Sequence, residues 1–251
     1  MENMHETQFL VTPQGRRLAY HLTDGTAPAI VFLGGFKSDM AGTKAVFLEK
    51  WARDSGRAFL RFDYSGHGQS GGEFTDGAIS DWFADACAAI GLLAGQVVLV
   101  GSSMGGWISL LVARQMPERI AGLVTIAAAP DFTEDSMWAS FTDAQKAEVM
   151  AGQTALPSEY GAPYIITRRL IEDGRTQLVL REPLALPFPT RFLQGTADAD
   201  VDMQVALRLL DHADGADMRL TLVDGADHRF SDDACLRLIT QSVEDVLTAP
   251  S

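Results

Sequence analysis

Cysteine and basic residues are scarce in this sequence. The two cysteines, Cys87 and Cys235, fall in segments with a helical pattern and form neither a metal-binding cluster nor a disulfide framework. We therefore expect two buried structural thiols in a reducing compartment. Lysine and arginine total 20 against 33 acidic residues, a formal net charge of −13. A chain this acidic repels phosphate backbones and anionic lipid surfaces, so we expect no nucleic-acid partner and no stable membrane association.

Long apolar runs and targeting patterns are also missing. No uninterrupted apolar stretch approaches the roughly 20 residues that a membrane-spanning helix requires. Residues 1–20 have neither a basic end followed by an apolar core nor the arginine-rich, acid-poor composition of a transit peptide. These absences predict a cytoplasmic protein, and they leave its oligomeric state open.

Buried strands are the first pattern that the sequence does contain. Its 251 residues, 47% of them hydrophobic, suit one domain large enough to bury most of its apolar surface. Short, nearly continuous apolar runs end in glycine or polar residues, as do strands buried on both faces of a parallel sheet. These runs are residues 29–35, 57–64, 96–102, 120–129, 190–195 and 218–225.

Helical patterns alternate with these runs, which predicts right-handed βαβ units. We therefore expect an α/β fold, with a mostly parallel central sheet flanked by helices, in a single domain spanning residues 1–251. Residues 9–22 predict a hairpin turning at 13–15, which would add antiparallel strands at the sheet edge. Between about 131 and 188 the alternation stops, and the segment shows helical pieces without an obvious buried strand. We interpret it as a small helical lid inserted into the domain.

Ser103 stands in a glycine-rich turn between a buried run and an amphipathic helix. Gly101–Gly105 fits the pattern G-x-S-x-G, which sets a serine at the tip of a sharp strand-to-helix turn. The flanking glycines are needed because the turn brings strand and helix too close for a Cβ. Chance matches to so short a pattern are common, but the placement of this one removes most of them. We predict Ser103 as a nucleophile and the N–H of Met104 as a donor to an oxyanion.

A serine hydroxyl needs a histidine to accept its proton and a carboxylate to orient that histidine. In this pattern the order along the chain is serine, acid, histidine. Asp198 follows the run at 190–195, and His228 follows the run at 218–225. Ligands bind at the carboxyl ends of strands in open α/β sheets, which is where all three residues fall. The sequence therefore predicts a triad of Ser103, His228 and Asp198.

Other residues compete for these roles. His67 lies among glycines after the second run and suits a tight turn packed beside the site, although it remains a rival base. Asp227 is adjacent to His228 and would point away from it, and Asp200 comes late in its loop. The other histidines fit solvated or packing positions; they are His5, His21 and His212.

A second oxyanion donor is expected from the loop after the run at 29–35. That strand end lies beside the nucleophile turn, and Gly34 and Gly35 let the backbone approach closely. We choose the N–H of Phe36. Glycines that merely make a turn are compatible with the same role.

These features resemble the α/β-hydrolase superfamily over nearly the whole chain, and they are most similar to its mitochondrial palmitoyl-protein thioesterase and acyl-glucuronide esterase group. The segments that carry the resemblance are residues 34–45, 61–72, 100–107, 155–174 and 226–232. The resemblance implies the same triad and the same two oxyanion amides. Two features depart from it: Gly34-Gly35 replaces the His-Gly of many members, and the transit peptide of the mitochondrial relatives is missing.

The leading hypothesis is a serine hydrolase, without cofactor or metal, that cleaves an ester or thioester of a small molecule or an acylated protein through an acyl-enzyme. Apolar residues of the lid could receive an acyl chain or simply pack; they are Met137, Trp138, Phe141, Met150, Leu156, Tyr160, Tyr164 and Ile165. One alternative is a small-peptide hydrolase that holds a peptide terminus through Glu159, Arg168, Arg169 or Glu172. The other is a catalytically silent ligand-binding protein.

Overall fold

An eight-stranded sheet runs through the computed structural model, which describes residues 6–157 and 163–249. The strands, in chain order, are β1 (Gln8–Val11), β2 (Arg17–Thr23), β3 (Thr26–Leu33), β4 (Arg57–Phe62), β5 (Val97–Ser102), β6 (Ile120–Ile126), β7 (Gln153–Leu156), β8 (Tyr164–Thr167), β9 (Leu184–Ala185), β10 (Thr190–Gly195), β11 (Ala213–Asp214) and β12 (Met218–Val223). The order across the large sheet is β1-β2-β4-β3-β5-β6-β10-β12. Strands β4 to β12 in this order pair in parallel, so their carboxyl ends share one edge.

Helices cover both faces of the sheet. They are α1 (Thr43–Asp54), α2 (Ile79–Ile90), α3 (Met104–Gln115), α4 (Asp143–Ala151), α5 (Arg168–Gly174), α6 (Met203–His212) and α7 (Asp233–Thr248). Helices α1 and α7 pack on one face, and α2, α3 and α6 pack on the other. The central strands are buried on both sides, because alternate side chains of β3 and β5 enter opposite cores. This explains why their sequences are continuous apolar runs.

The N-terminal hairpin forms where it was predicted. Strand β1 pairs antiparallel with β2, and β2 pairs antiparallel with β4. The turn closes through the Gly15 N–H to the Thr12 carbonyl at 2.9 Å, with Gly15 at φ 82°. Because glycine adopts this left-handed conformation without steric penalty, the Pro13-Gln14-Gly15 signal is reliable here.

Between β6 and β10 the chain leaves the sheet, and this insertion contains more than helices. A π-helix (Thr133–Trp138), α4 and α5 are joined by the antiparallel pair β7–β8. The segment was expected to be helical without an obvious buried strand, and the two strands that it adds, β7 and β8, are mostly exposed or partly exposed. The strands have only four residues each, and β8 runs directly into α5 at Thr167, whose hydroxyl caps that helix. In the sequence, the apolar residues of β8 therefore resemble the first turn of the helix that follows them.

Asp131 links the two ends of the insertion. Its carboxylate is fully buried and accepts hydrogen bonds from the N–H groups of Val179 (2.8 Å) and Leu180 (3.0 Å) and from the Arg181 guanidinium (3.2 Å). Burial raises the pKa of Asp131, although these bonds act in the opposite direction. Arg181 also pairs with Asp135 in the π-helix. The start of the insertion thus holds its last part through buried polar contacts.

The thiols differ from the expectation at one position. Cys235 is buried, whereas Cys87 is only half-buried on α2. Burial raises the pKa of Cys87 to about 11 and is the main cause that raises the pKa of Cys235 to about 12. Both thiols are therefore protonated and unreactive at neutral pH.

Among the described helices, none has the length and apolarity to cross a bilayer.

Candidate active site

Ser103 lies at the turn between β5 and α3 in a strained backbone conformation. Its φ of 54° and ψ of −118° are unusual for a residue with a side chain. Its N–H bonds the Ile126 carbonyl at 2.9 Å, and its own carbonyl accepts from Gly106 and Ala129. These bonds stabilise the strained backbone conformation of Ser103 and place its hydroxyl above the carboxyl edge of the sheet.

The glycines around Ser103 are required by close approach. A Cβ on Gly101 would lie 2.3 Å from the Ser109 hydroxyl, and one on Gly105 would lie 2.0 Å from the Leu33 carbonyl oxygen. Helix α3 therefore lies so close to the ends of β5 and β3 that only glycine fits at positions 101 and 105. This contact brings the loop after β3 alongside Ser103, with a Cβ on Gly35 only 3.4 Å from the Ser103 Cβ.

A chain of hydrogen bonds connects Ser103, His228 and Asp198. His228 Nε2 lies 3.2 Å from Ser103 Oγ, and His228 Nδ1 lies 2.8 Å from Asp198 Oδ2. Since an ionised carboxylate can only accept, Nδ1 carries the proton and Nε2 is free to accept from the serine hydroxyl. The structure thus brings together the three side chains that the sequence predicted, from the ends of β5, β10 and β12.

Asp198 is saturated with hydrogen bonds. Its Oδ1 accepts from the Asp200 and Val201 N–H groups at 2.9 and 2.8 Å, and its Oδ2 accepts from Gln194 Nε2 at 2.9 Å as well as from His228. Burial alone would raise the pKa of Asp198, but the bonds from His228 and the two amides outweigh it, and the pKa is lowered. The carboxylate is therefore ionised and fixed in orientation.

Gln194 is a contributor that the sequence reasoning missed. It is fully buried at the end of β10, and Nε2 also points to the Gly195 and Val201 carbonyls at 3.3 and 3.0 Å. Its Oε1 has no partner among the described residues. A buried oxygen without a hydrogen-bond partner costs free energy, so the hydrogen bonds that Nε2 donates must favour this orientation of the side chain. The available signal was a polar residue inside an otherwise apolar run, four positions before Asp198.

The competing residues occupy other positions. The Asp227 carboxylate accepts the Phe230 N–H at 3.1 Å and so closes the turn that carries His228. His67 Nε2 lies 3.2 Å from the Lys37 backbone nitrogen, and His67 Nδ1 lies 3.1 Å from the Ser65 carbonyl oxygen. His21 and His212 bond Thr7 and the Glu182 carbonyl, respectively. His5 falls outside the described residues.

One group of potential metal ligands occurs among the described residues, and it coincides with this site. Ligand atoms of Asp198, Asp200 and His228 lie within 4.8 Å of one another. Asp198 already accepts four hydrogen bonds, which is the capacity of a carboxylate. The arrangement is thus better matched to orienting a histidine than to holding a cation.

A cavity of about 770 Å³ opens beside Ser103 and His228. Its wall includes Phe36 and Met104, the two residues whose N–H groups were predicted as oxyanion donors. Met104 begins α3, so its N–H has no intrahelical partner. The Phe36 ring packs edge-on against Phe132 (5.6 Å) and Tyr164 (5.8 Å). The oxyanion loop and the insertion therefore share one aromatic wall of the cavity.

Of the apolar residues singled out in the insertion, Met137 and Tyr164 line the cavity. Phe141 is buried, and Trp138 packs against it at 6.2 Å, so these two serve packing. Tyr160 lies outside the described residues. The two interpretations of the apolar residues thus each hold for some of them.

Lys44 lies at the cavity wall, and its pKa is shifted toward neutral pH. Its Nζ donates a hydrogen bond to the Arg229 carbonyl, next to His228. Burial lowers the pKa of Lys44 to about 8, even though Asp227 and Asp198 favour the charged form. The amine therefore braces the loop that carries His228.

Comparisons with known proteins agree with this architecture. The family described as the α/β hydrolase fold matches residues 28–158. The mitochondrial palmitoyl-protein thioesterase ABHD10 of Rattus norvegicus is 33% identical over 242 residues, covering 95% of this chain and 82% of the relative. The human protein of the same name is 31% identical, covering 95% of this chain and 79% of the relative.

Two solved structures are similar along almost their whole length. A protein from Agrobacterium vitis S4 described as a hydrolase superposes with a TM-score of 0.92 at 39% identity, covering 96% of this chain and 98% of that one. Mouse α/β-hydrolase domain-containing protein 10 superposes with a TM-score of 0.89 at 31% identity, with the same coverage. The predicted fold class is confirmed, and the chain belongs to the α/β-hydrolase family and is a hydrolase.

Proposed function

We propose that this protein is a serine hydrolase that cleaves carboxylic esters or thioesters, with Ser103 as nucleophile, His228 as base and Asp198 as the acid that orients it. The observation that carries the proposal is the continuous hydrogen-bond chain of 3.2 and 2.8 Å through these side chains, at the wall of a cavity. The backbone N–H groups of Phe36 and Met104 are the proposed oxyanion donors. No step requires a cofactor.

The proposed reaction has two halves. Ser103 Oγ attacks the acyl carbon while His228 Nε2 takes its proton, and the two backbone amides stabilise the negative oxygen. The imidazolium then protonates the departing alkoxide or thiolate, which leaves an acyl-enzyme. In the second half His228 deprotonates a water molecule, the resulting hydroxide attacks the ester, and Ser103 leaves with the proton. Asp198 stays ionised throughout and stabilises the imidazolium.

The cavity supports an apolar acyl group. Aromatic and aliphatic side chains line it, and its volume is within the roughly 300–1,000 Å³ of small-molecule sites. Relatives at 31–33% identity are named palmitoyl-protein thioesterases, which supports thioesters among the substrates. We extend the proposal to residues 131–188 as the lid of a single domain, because Phe132, Met137 and Tyr164 belong to that wall.

The peptidase alternative has little support. Arg168 pairs with Glu172 at 2.8 Å on an exposed helix face, and Arg169 pairs with Asp81 at 2.6 Å. None of these side chains lines the cavity, and Glu159 lies outside the described residues. Catalytically silent proteins on this scaffold typically lack a triad residue, whereas all three are present here at hydrogen-bonding distances, which gives the silent-binder alternative little support.

The test is kcat/KM for matched oxygen esters and thioesters from acetyl to palmitoyl, with Ser103→Ala as the variant and Ser102→Ala as its neighbouring control. We expect wild type and Ser102→Ala to turn over acyl substrates and Ser103→Ala to lose on the order of 10³-fold or more. Trapping of an acyl group on Ser103, seen as a mass increase, should accompany turnover. Full activity in Ser103→Ala would refute the assignment, and binding without turnover in wild type would favour the silent binder.

The proposal includes a cytoplasmic location for the protein. The named relatives are mitochondrial, so they lend it no support. Fractionation of cells that express the full chain with a C-terminal tag tests it directly, because enrichment with a membrane-bounded organelle contradicts it.

A further inference from the structure

His67 is buried in an aromatic cluster behind the oxyanion loop. Only 4% of it is exposed. Its ring meets the rings of Phe74 and Trp82 edge-on at 5.2 Å, and that of Tyr64 at 5.7 Å. The Phe36 ring contacts the same Phe74 and Trp82 side chains at 4.9 and 5.9 Å. His67 and the proposed oxyanion residue therefore pack on shared neighbours.

The two polar contacts of His67 determine its tautomer. The Lys37 backbone N–H, 3.2 Å from Nε2, can only donate, so Nε2 must present a lone pair. The Ser65 carbonyl oxygen, 3.1 Å from Nδ1, can only accept, so Nδ1 must carry the proton. Both bonds exist together only in the neutral ring protonated at Nδ1.

The neutral ring is also the one that the surroundings favour. Burial lowers the pKa of His67, and the Lys37 ammonium acts in the same direction. The Ser65 carbonyl and the Asp85 carboxylate oppose them without reversing the shift. Burial and hydrogen bonding therefore favour the same form of the ring, with an acceptor at Nε2.

The bond to Lys37 acts on a strained turn. Residues 35–38 form a four-residue turn closed by the Ser38 N–H to the Gly35 carbonyl at 3.2 Å. Lys37, at its third position, has a φ of 58°, where glycine is normally preferred. A side chain in this conformation costs free energy and needs an external restraint. The Lys37 N–H belongs to the peptide that follows Phe36, so restraining it fixes the orientation of Phe36.

We infer that His67 is a positioning residue, which holds the Phe36–Lys37 peptide through Nε2 and so keeps the Phe36 N–H aimed at the oxyanion. The inference rests on the proposed function, since it assumes that Phe36 is an oxyanion donor. It differs from a role as general base, because His67 Nε2 is occupied by Lys37. It differs from a packing role, because it requires an acceptor at one atom.

Two amide variants separate these roles. In His67→Gln the side-chain oxygen reaches the position of Nε2 and can accept from Lys37, whereas in His67→Asn the polar atoms reach only the position of Nδ1. We expect His67→Gln to keep kcat within about threefold, and His67→Asn to lose on the order of tenfold or more, part of the 10²–10³-fold that losing an oxyanion donor costs. KM should change little in either variant, because the interaction is made in the transition state.

Tyr64→Phe is the matched control, because Tyr64 contacts the same ring but its buried hydroxyl has no partner among the described residues. It should leave kcat and KM unchanged. Equal losses in the Gln and Asn variants, or no loss in either, would overturn the inference. If Ser103→Ala also remains active, the proposed function itself fails; if Ser103→Ala is inactive, only the role of His67 does.

A measurement on the wild-type protein covers the case in which the Asn variant does not fold. Nitrogen-15 NMR of the histidine rings, with His67 assigned by its loss in His67→Gln, reports which nitrogen carries the proton. We expect the neutral Nδ1–H form at neutral pH. A ring protonated at Nε2 contradicts the inference without reference to any variant's stability.

Discussion

At the residue scale, the Asp198 carboxylate is the point on which the proposed catalytic geometry depends. Its four hydrogen bonds come from two loop amides, one buried side-chain amide and the histidine. Asp200, two positions later, contributes only its backbone N–H, and its side chain is exposed. We therefore expect replacement by asparagine to affect activity very differently at these two neighbouring acids.

We predict that Asp198→Asn loses on the order of 10⁴-fold in kcat, because an amide at this position favours the wrong histidine tautomer. Asp200→Asn keeps the backbone N–H and should stay within about threefold of wild type. Steady-state kinetics on the best ester substrate measures both. A large loss in Asp200→Asn with little loss in Asp198→Asn would move the acid to Asp200.

Gln194→Met is expected to separate activity from stability. The variant removes the donor to Asp198 Oδ2, and we expect kcat to fall on the order of tenfold as the carboxylate loses its fixed orientation. It removes the buried orphan oxygen but also leaves the Val201 carbonyl without its donor at 3.0 Å, and because these effects oppose each other the free energy of unfolding should fall by less than about 2 kcal/mol. Kinetics and urea unfolding on one preparation measure both effects. Gln96→Met, at an exposed glutamine, is the control, and a parallel loss of stability and activity would mean that Gln194 is structural.

Lys44 makes a specific contribution to the pH dependence of stability. Its folded-state pKa is about 8 against an ordinary value of 10.5. Between these values the unfolded chain binds more protons, so this group makes the folded state more stable as pH rises and less stable as pH falls. Lys44→Met should therefore be more stable than wild type near pH 7, with the difference shrinking toward about pH 10. Urea unfolding of wild type and Lys44→Met across that range tests it, and a difference in stability that does not change with pH would contradict it.

At the element scale, the insertion depends on how its ends are attached to the sheet. Asp131, five residues after the end of β6, holds residues 179–181 with a buried carboxylate. Arg208 on α6 reaches the same network only through an exposed pair with Asp135 at 2.7 Å. Buried charges whose partners are removed are costly, whereas exposed pairs contribute little.

We predict that Asp131→Ala destabilises the protein by roughly 3 kcal/mol, because it leaves two buried N–H groups and a guanidinium without their acceptor. Arg208→Gln should cost less than about 1 kcal/mol. Limited proteolysis should cut the insertion of Asp131→Ala faster than that of Arg208→Gln. Equal protection and equal unfolding free energies in the two variants would show that Asp131 is not the anchor.

The strands also show how much of the fold could be predicted from the sequence. The six apolar runs became β3, β4, β5, β6, β10 and β12. The first five are largely buried, and such strands leave a signal that depends on no distant partner. The expectation of burial on both faces was wrong for β12, which is the edge strand and has only partly or fully exposed residues. Strands β7 and β8 were missed, since four-residue edge pieces next to a helix carry too little pattern. The predicted triad side chains converge because parallel strands share one carboxyl edge. The Lys37 bond of His67 could not be anticipated, because it joins two loops far apart in sequence. Gln194 lies only four positions before Asp198, and the polar residue in an apolar run was the signal that was overlooked.

At the scale of the whole molecule, net charge governs which partners can approach. With 33 acidic against 20 basic residues, the average field repels polyanions. The predicted absence of a nucleic-acid partner follows from this field.

We predict that the protein shows no retention on heparin and no shift of duplex DNA at low ionic strength, where attraction to a basic patch would be strongest. Electrophoretic mobility and a salt gradient on the column measure it. Retention that decreases with added salt would reveal a local basic surface that the overall charge conceals.

The candidate site is assembled from the ends of β3, β5, β10 and β12, which no short segment of the chain contains together. These residues, Phe36, Ser103, Asp198 and His228, consequently come together only when segments far apart in sequence pair, and such pairing is the slow part of folding. During refolding from denaturant, recovered turnover therefore marks the closing of the sheet from β3 to its β12 edge, later than the return of helical circular dichroism.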